Sequence, residues 1–166
     1  MPPISAVIIA CNEAPRIADA VRSVRPWVDE VLVLDGGSRD ATRQEAFLAG
    51  ARVSAHPFDG FVSQKRRATG RAAHDLVFSL DADERVDEAL GRALAALAAE
   101  AEYGSTAWAV RRLNYLDGRP LRASGWYPDR RVRLFDRRVV RWEGHEPHDL
   151  LRPSGSVAAL PGHLHH

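Results

Sequence analysis

Three carboxylates follow one another at the end of an apolar stretch, in the segment LVFSLDADERV at residues 76–86. Asp81 and Asp83 are two positions apart, and Glu84 follows directly. Carboxylates this close repel one another, so we expect a hard cation, arginine side chains or plain solvent to offset their charge. Oxygen ligands suit Mn²⁺ or Mg²⁺, whose shell a phosphorylated substrate usually completes. Spacing alone is equally typical of a solvated turn with an aspartate at a helix N-terminus, and both interpretations stay open.

A second polar turn follows another apolar stretch, in VLDGGSRDAT at residues 33–42. Asp35 ends the apolar run, and the two glycines after it allow a ligand to approach the backbone closely. The turn suits the base or ribose of a nucleotide, but an ordinary strand–turn–helix capped by Ser38 or Asp40 explains it equally well. Dinucleotide and P-loop sites lack their fingerprints, because neither G-x-G-x-x-G nor G-x-x-x-x-G-K-[ST] occurs.

Further candidates lie in a basic segment and near the C-terminus. QKRRATGR, at residues 64–71, carries Lys65 and three arginines, of which one or two can meet a diphosphate. WEGHEPHDLL, at residues 142–151, places Glu146 and Asp149 beside histidines, and a carboxylate there can serve as a general base. Five of the seven histidines follow residue 144. Zinc binding is one explanation for them, and an unstructured histidine-rich tail is the one we expect.

The elements that must position these residues alternate through the first hundred positions. Apolar runs and helical spacing predict strands at 4–10, 30–38, 52–56 and 75–80, and helices at 14–25, 40–51, 62–73 and 87–101. Continuous apolar strands joined by helices imply a parallel sheet covered on both faces, and ligands bind beyond the carboxyl ends of such strands. Asn12, Glu13 and Asp35 follow strand ends, as does the acidic pair, so we expect all of them at one edge of the sheet.

After residue 105 the sequence becomes β-rich and aromatic. Strands are predicted at 106–116 and 131–135, with a turn at 117–120, and we expect an antiparallel extension of the same sheet. The 166 residues are enough for one domain with a sizeable core.

Composition narrows the class of protein. A net charge of +1 argues against a nucleic-acid partner, and Cys11, the single cysteine, excludes a disulfide framework or a thiolate zinc cluster. The apolar runs fall well short of the ~20 residues that cross a bilayer, and the N-terminus does not look like a signal peptide. We therefore expect a cytoplasmic protein, which is compatible with peripheral contact at the inner face of a membrane.

Several segments, taken in order, resemble the family 2 glycosyltransferases, and in particular bacterial lipopolysaccharide core glucosyltransferase-like proteins. These segments are SAVIIACNEA, VDEVLVLDGGSRDAT, GARV, SLDADERV, GWYPDRRVRLF and PHDLL. The resemblance covers nearly the whole chain and implies the α/β GT-A fold, a Rossmann-like, mainly parallel sheet with helices on both faces and a β-rich C-terminal part. It implies a single domain at 1–166, with a nucleotide-sugar half at 1–104 and an acceptor-side half at 105–166. Relatives usually continue past the G-x-L-x-H segment that ends this chain at His166, so we expect their C-terminal helices to be missing.

The resemblance also assigns the nucleotide-binding residues. Asn12 and Glu13 match the strand-end motif near the nucleoside, and Asp35 matches the acid that contacts the base. Lys65 falls in the segment that approaches the nucleotide.

The resemblance also assigns residues to the metal site and to the acceptor side. Asp81 and Asp83 match the D-x-D pair that holds Mn²⁺ or Mg²⁺, with Asp83 as the expected direct ligand. Arg130 and Arg133 match basic residues on the phosphate or acceptor side.

The resemblance also assigns the catalytic base, although this chain differs from the family motif at that position. The subgroup commonly has Val-His-Glu where this chain has Pro147-His148-Asp149. Asp149 is the matched base and Glu146 the alternative, and the aspartate is shorter than glutamate by one methylene.

The activity implied is that of a metal-dependent, inverting hexosyltransferase. A nucleotide-diphospho-sugar, expected to be a UDP-sugar, would donate its sugar to a cell-envelope glycan or a lipid-linked acceptor. One alternative is a nucleotidyltransferase, which should carry a glycine- and basic-rich loop after the first strand that CNEAPR does not supply. The other is a non-catalytic nucleotide- or glycan-binding module, which the short C-terminus favours.

Overall fold

The computed structural model describes residues 2–99, 104–122, 127–145 and 148–166. Seven strands of the described chain come before residue 117: β1 Ile4–Ala10, β2 Glu30–Asp35, β3 Arg52–Ala55, β4 Leu76–Asp81, β5 Arg85–Val86, β6 Ala107–Leu113 and β7 Tyr115–Leu116. Five follow: β8 Arg119–Pro120, β9 Asp129–Asp136, β10 Arg141–His145, β11 His148–Arg152 and β12 Val157–His165. The helices are α1 Ala14–Val24, α2 Thr42–Leu48, α3 Phe61–Arg71 and α4 Glu88–Ala99, with a 3-10 turn at Arg25–Trp27.

Eight strands form one sheet in the order β3-β2-β1-β4-β9-β6-β12-β5. The first four are mutually parallel, as the alternation of strands and helices predicted. β9 is antiparallel to both of its neighbours, so the expected antiparallel extension is correct for this strand. β6 and β12 run parallel to each other, so that expectation is correct only in part. The hairpins β7–β8 and β10–β11 lie outside this sheet.

The register brings the polar strand ends together. Ala10 of β1 lies opposite Asp35 of β2, and Ile9 lies opposite Asp81 of β4. The residues that follow β1, β2 and β4 therefore emerge at one edge, where ligands of such sheets bind.

Alternate residues of the central strands pack into two hydrophobic cores. On one face, Ile4 and Ile8 of β1 pack with residues of α1 and α4. On the other, Val7 packs with residues of α3 and of the β10–β11 hairpin. Burial on both faces explains the continuous apolar runs, since each fully buried Ile or Val contributes roughly 1.5–3 kcal/mol relative to exposure. Among the helices that the structure describes, none has both the length and the apolar character needed to cross a membrane.

The C-terminal residues form a strand inside the sheet, so the expectation of an unstructured histidine tail is wrong. His163 and His165 belong to β12. His166 continues the pairing, because its backbone N–H donates to Leu113 O at 3.0 Å and its O accepts from Tyr115 N at 2.9 Å. Pro and Gly inside VAALPGHLH disfavour a regular strand, and β12 accommodates them with a register shift between Ala159 and His163.

We predict that Gly162→Ala destabilises the fold by about 2–4 kcal/mol. Gly162 has φ +85°, and an added Cβ would lie 2.7 Å from Leu90 Cα and collide with the Leu90 backbone nitrogen. Gly70→Ala in α3 is the matched control, because no atom lies within 4 Å of its Cβ and alanine favours a helix by about 0.5–1 kcal/mol. Urea denaturation of both variants measures the difference. If Gly162→Ala has the same free energy of unfolding as the parent protein, β12 does not pass as close to Leu90 as the structure shows.

Candidate active site

A cleft of about 610 Å³ lies at the carboxyl ends of β1, β2 and β4. Its volume falls within the range of ligand pockets, about 300–1,000 Å³. One part of its wall is apolar and includes Leu34, Phe58 and Phe61. The other part is charged and is lined by Lys65, Asp81, Asp83 and His166.

Asp81 is neutralised by protein cations. Its Oδ1 lies 3.1 Å from Lys65 Nζ, and its Oδ2 accepts a hydrogen bond from Arg133 Nη2 at 2.7 Å. Burial opposes ionisation, but the charges of Arg133 and Lys65 outweigh it and hold the pKa of Asp81 well below its usual range. Both oxygens of Asp81 are therefore engaged by the protein itself.

Glu84 fixes the shape of the acidic turn. Its side chain is fully buried and accepts hydrogen bonds from Asp81 N at 3.0 Å and from Arg133 Nη2 at 2.6 Å. Its own N–H donates to Asp81 O at 3.0 Å, which closes the turn. Burial raises the pKa of Glu84, and the Arg133 guanidinium opposes that rise. Sequence analysis missed this role, although a third carboxylate beside the pair was its signal.

Asp83 has different surroundings, because it faces the cleft beside a histidine. Asp83 Oδ2 lies 3.4 Å from His166 Nε2. His166 Nδ1 lies 2.9 Å from Asn114 Oδ1, which can only accept, so Nδ1 carries a hydrogen and Nε2 is the ring nitrogen that faces Asp83. Two ligand atoms of one divalent cation lie ~3 Å apart, so this pair fits a metal site.

No set of three or more His, Cys, Asp or Glu side chains that could hold a metal occurs among the described residues. A cation at Asp83 and His166 would therefore take its other ligands from water and a bound molecule. Sequence analysis missed His166 because the histidines were interpreted as a tail. The final histidine of G-x-L-x-H was the available signal.

Asp35 lies behind the lining of the cleft, at the base of the turn that follows β2. Its side chain is fully buried, and its Oδ2 accepts hydrogen bonds from Gly37 N and Ser38 N at 3.0 Å each. Its Oδ1 is buried and has no hydrogen-bond partner in the described part of the chain. A buried acceptor without a partner is costly, and the hydrogen bonds of the turn do not account for Oδ1.

Asn12 and Glu13 lie beside that turn. Asn12 has φ +56°, which asparagine tolerates, and its Oδ1 accepts a hydrogen bond from Arg39 N at 2.9 Å. Glu13 lines the cleft and forms an ion pair of 2.8 Å with Arg16. Asn12 thus shapes the turn, while Glu13 faces the site.

A second pocket, of about 320 Å³, adjoins the cleft, and Lys65 and Asp81 line both. Arg130 and Arg133, which the resemblance assigns to the phosphate or acceptor side, line this second pocket. Asp149 lies in β11 opposite Gly144 and precedes Leu150, which also lines the pocket. Glu146 lies outside the described residues.

The chain is similar to known glycosyltransferases in sequence. Lipopolysaccharide core biosynthesis glycosyltransferase LpsC of Rhizobium meliloti is 32% identical over 171 residues, which cover 99% of this chain and 63% of that protein. An uncharacterized glycosyltransferase of Rickettsia felis is 44% identical over 90 residues, which cover 54% of this chain and 32% of that protein.

The fold is similar to that of solved sugar transferases. Glucosyl-3-phosphoglycerate synthase from Mycobacterium tuberculosis, in complex with Mn²⁺, UDP and glucosyl-3-phosphoglycerate, has a TM-score of 0.55 at 26% identity, covering 69% of this chain and 44% of that one. Mannosyl-3-phosphoglycerate synthase from Rubrobacter xylanophilus has a TM-score of 0.55 at 26% identity, covering 67% and 41%. The chain spans less than two thirds of each of these four relatives.

The match to a family model decides the class. The model described as Glycosyl transferase family 2 matches residues 5–150, which is most of the chain. The matched range includes the ends of β1, β2 and β4 and the acidic turn. The protein belongs to glycosyltransferase family 2.

Proposed function

We propose that this chain transfers a sugar from a UDP-sugar to a cell-envelope glycan or lipid-linked acceptor, with inversion at the anomeric carbon. The observation that carries the proposal is the divided wall of the cleft, apolar around Phe58 and Phe61 and charged around Lys65 and Asp83. A nucleoside diphosphate has the same division, with a flat base at one end and a diphosphate at the other. The UDP bound to the solved glucosyl-3-phosphoglycerate synthase supports a UDP-sugar as the donor. The similarity to the lipopolysaccharide core glycosyltransferase LpsC supports a cell-envelope acceptor.

The apolar wall offers the nucleoside an aromatic surface. Phe58 and Phe61 are 48% and 43% exposed, although large apolar side chains usually lie inside. Their rings pack edge to face at 5.1 Å, so one exposed ring face is held in place for a base. The orphan oxygen of Asp35, at the neighbouring turn, would gain a partner from a ring N–H of the base.

The charged wall suits the diphosphate. Asp83 and His166 would hold Mn²⁺ or Mg²⁺, and the bound ion would offset the negative charge of the departing diphosphate. Lys65 is held at this end by Asp81 and stacks over Trp142, with Nζ 4.8 Å from the ring centroid. It would add positive charge beside the diphosphate. Asp149, in the strand beside the second pocket, would take the proton from the acceptor hydroxyl.

Two alternatives to a glycosyltransferase are a nucleotidyltransferase and a non-catalytic binding module. The family match argues against a nucleotidyltransferase. Donor hydrolysis or transfer by the purified protein would distinguish an enzyme from a binding module.

We predict that Asp35→Asn weakens the binding of UDP and of uridine alike, by roughly tenfold. The amide oxygen still serves the two turn N–H groups, but an NH₂ donor replaces the orphan acceptor. Asp40→Asn is the control, because Asp40 also holds this turn but has no orphan oxygen: its Oδ1 accepts from Thr42 N at 3.0 Å and its Oδ2 from Ala14 N at 3.2 Å. Calorimetry with both ligands measures the effect, and an unchanged uridine affinity would leave Asp35 as a turn residue only.

We predict that Asp83→Asn and His166→Ala each abolish the Mn²⁺ dependence of UDP binding while the fold survives. Each removes one of two protein ligands, and the loss of affinity should be at least about tenfold. His165→Ala is the control, because the ring of His165 contacts Tyr115 OH at 2.8 Å and does not line the cleft. Calorimetry with and without Mn²⁺ tests this. Metal-dependent affinity that stays at the wild-type value in both variants would refute the site.

We predict that Asp149→Asn reduces sugar transfer and leaves UDP affinity near normal, because a base acts on the acceptor. Glu146→Gln is the matched comparison. Transfer is measured with a working acceptor, and UDP affinity by calorimetry. If Glu146→Gln alone stops transfer, the base is Glu146, and if neither does, the base lies elsewhere or the chain is not a catalyst.

A further inference from the structure

The second pocket carries positive charge that donor binding does not require. Its lining includes five cationic side chains and one carboxylate: Lys65, Arg112, Arg130, Arg131, Arg133 and Asp81. Two more carboxylates contact this set from outside the lining, Glu84 through Arg133 and Asp129 through Arg112 and Arg131. Five cations against three carboxylates leave an excess of two positive charges among the described side chains.

Arg130 is the cation best placed to bind a ligand. Arg112 and Arg131 share Asp129 at 2.9 and 2.8 Å, and Arg133 is held by Asp81 and Glu84. Arg130 is exposed and has no ion pair or hydrogen bond to any side chain that the structure describes.

The strand pairing adds a second observation. Arg130 of β9 lies directly opposite Arg111 of β6. Like charges directly opposite each other in a sheet are destabilising, and Arg111 also forms no ion pair in the described part of the chain. An anion between or beside these arginines would remove that repulsion.

The rest of the pocket fits a carbohydrate-sized molecule. Val132, Leu150 and Leu151 line it, so the basic wall faces an apolar one. The volume of about 320 Å³ lies near the lower end of the range for ligand pockets. Lys65 and Asp81 separate it from the donor cleft, and Asp149, the proposed base, directly precedes Leu150.

We infer that the second pocket binds the acceptor through an oxyanion, a phosphate ester or a carboxylate carried by the sugar that is glycosylated, with Arg130 as its principal donor. The inference rests on the proposed function and names the chemical class of the acceptor. A guanidinium matches two oxygens of a phosphate or carboxylate at once, which a neutral sugar cannot offer.

The test uses the full chain saturated with UDP and Mn²⁺, so that a phosphate cannot occupy the donor cleft. Glucose 6-phosphate, glucuronate and glucose are titrated by calorimetry at low and high salt. We expect saturable binding of the phosphate, the carboxylate or both, weaker at high salt, and much weaker binding of glucose. Which anionic sugar binds more tightly identifies the oxyanion.

Arg130→Gln should weaken the binding of the anionic sugar roughly tenfold and leave UDP affinity unchanged. Arg92→Gln is the matched control, because this arginine is 71% exposed on α4, does not line the pocket, and pairs within its helix with Glu88. Equal binding of glucose and both anionic sugars, or equal affinities in the two variants, would overturn the inference alone. Failure of the wild-type chain to bind UDP would overturn the proposed function and the inference together.

Discussion

The arrangement of both pockets depends on the ion pairs that the Arg133 guanidinium forms with Asp81 and Glu84. Arg133 is 5% exposed and its Nη2 bridges Asp81 and Glu84 at 2.7 and 2.6 Å. Removing one partner of such a buried pair costs about 3–5 kcal/mol, because an uncompensated charge remains. Arg133 contacts two of the three carboxylates of the acidic turn, and Lys65 contacts Asp81 as well. These cations offset the repulsion in the turn and hold Asp81 between the two pockets.

This constraint explains why the two aspartates of the pair are not equivalent. Asp81 is engaged on one oxygen by Lys65 and on the other by Arg133, so its charge is used inside the protein. Asp83 lies next to Nε2 of His166, whose ring contacts Asn114 through Nδ1. Lysine and arginine neutralise the first carboxylate, so one of the expected sources of positive charge lies at Asp81. The second carboxylate is the one that we propose as a metal ligand.

The elements that could be predicted from the sequence are those whose signals are local. The bounds of β1 were predicted to the residue, and Asp35 was placed at the end of β2, because a continuous apolar run followed by polar residues marks a buried parallel strand. β12 was not predicted, since Pro161 and Gly162 interrupt its pattern and its pairing with β6 joins residues about fifty positions apart. The contact between Arg133 and Asp81 spans 52 positions, and no local pattern encodes it. The acidic pair was thus recognisable from its local pattern, but the contact that engages Asp81 with Arg133 was not.

The order of strands shows how the second half of the chain completes the site of the first. β9 lies next to β4 and carries Arg133 to the acidic turn, while β12, two strands further along, carries His166 to Asp83. Residues 1–104 contribute the apolar wall and Lys65 of the cleft, and Asp35 behind its lining. The second half of the chain contributes the Arg133 guanidinium that contacts the acidic turn and the imidazole beside Asp83. The β-rich half therefore contributes to the cleft itself, because the charges around Asp81 and Asp83 are assembled from both halves of the chain.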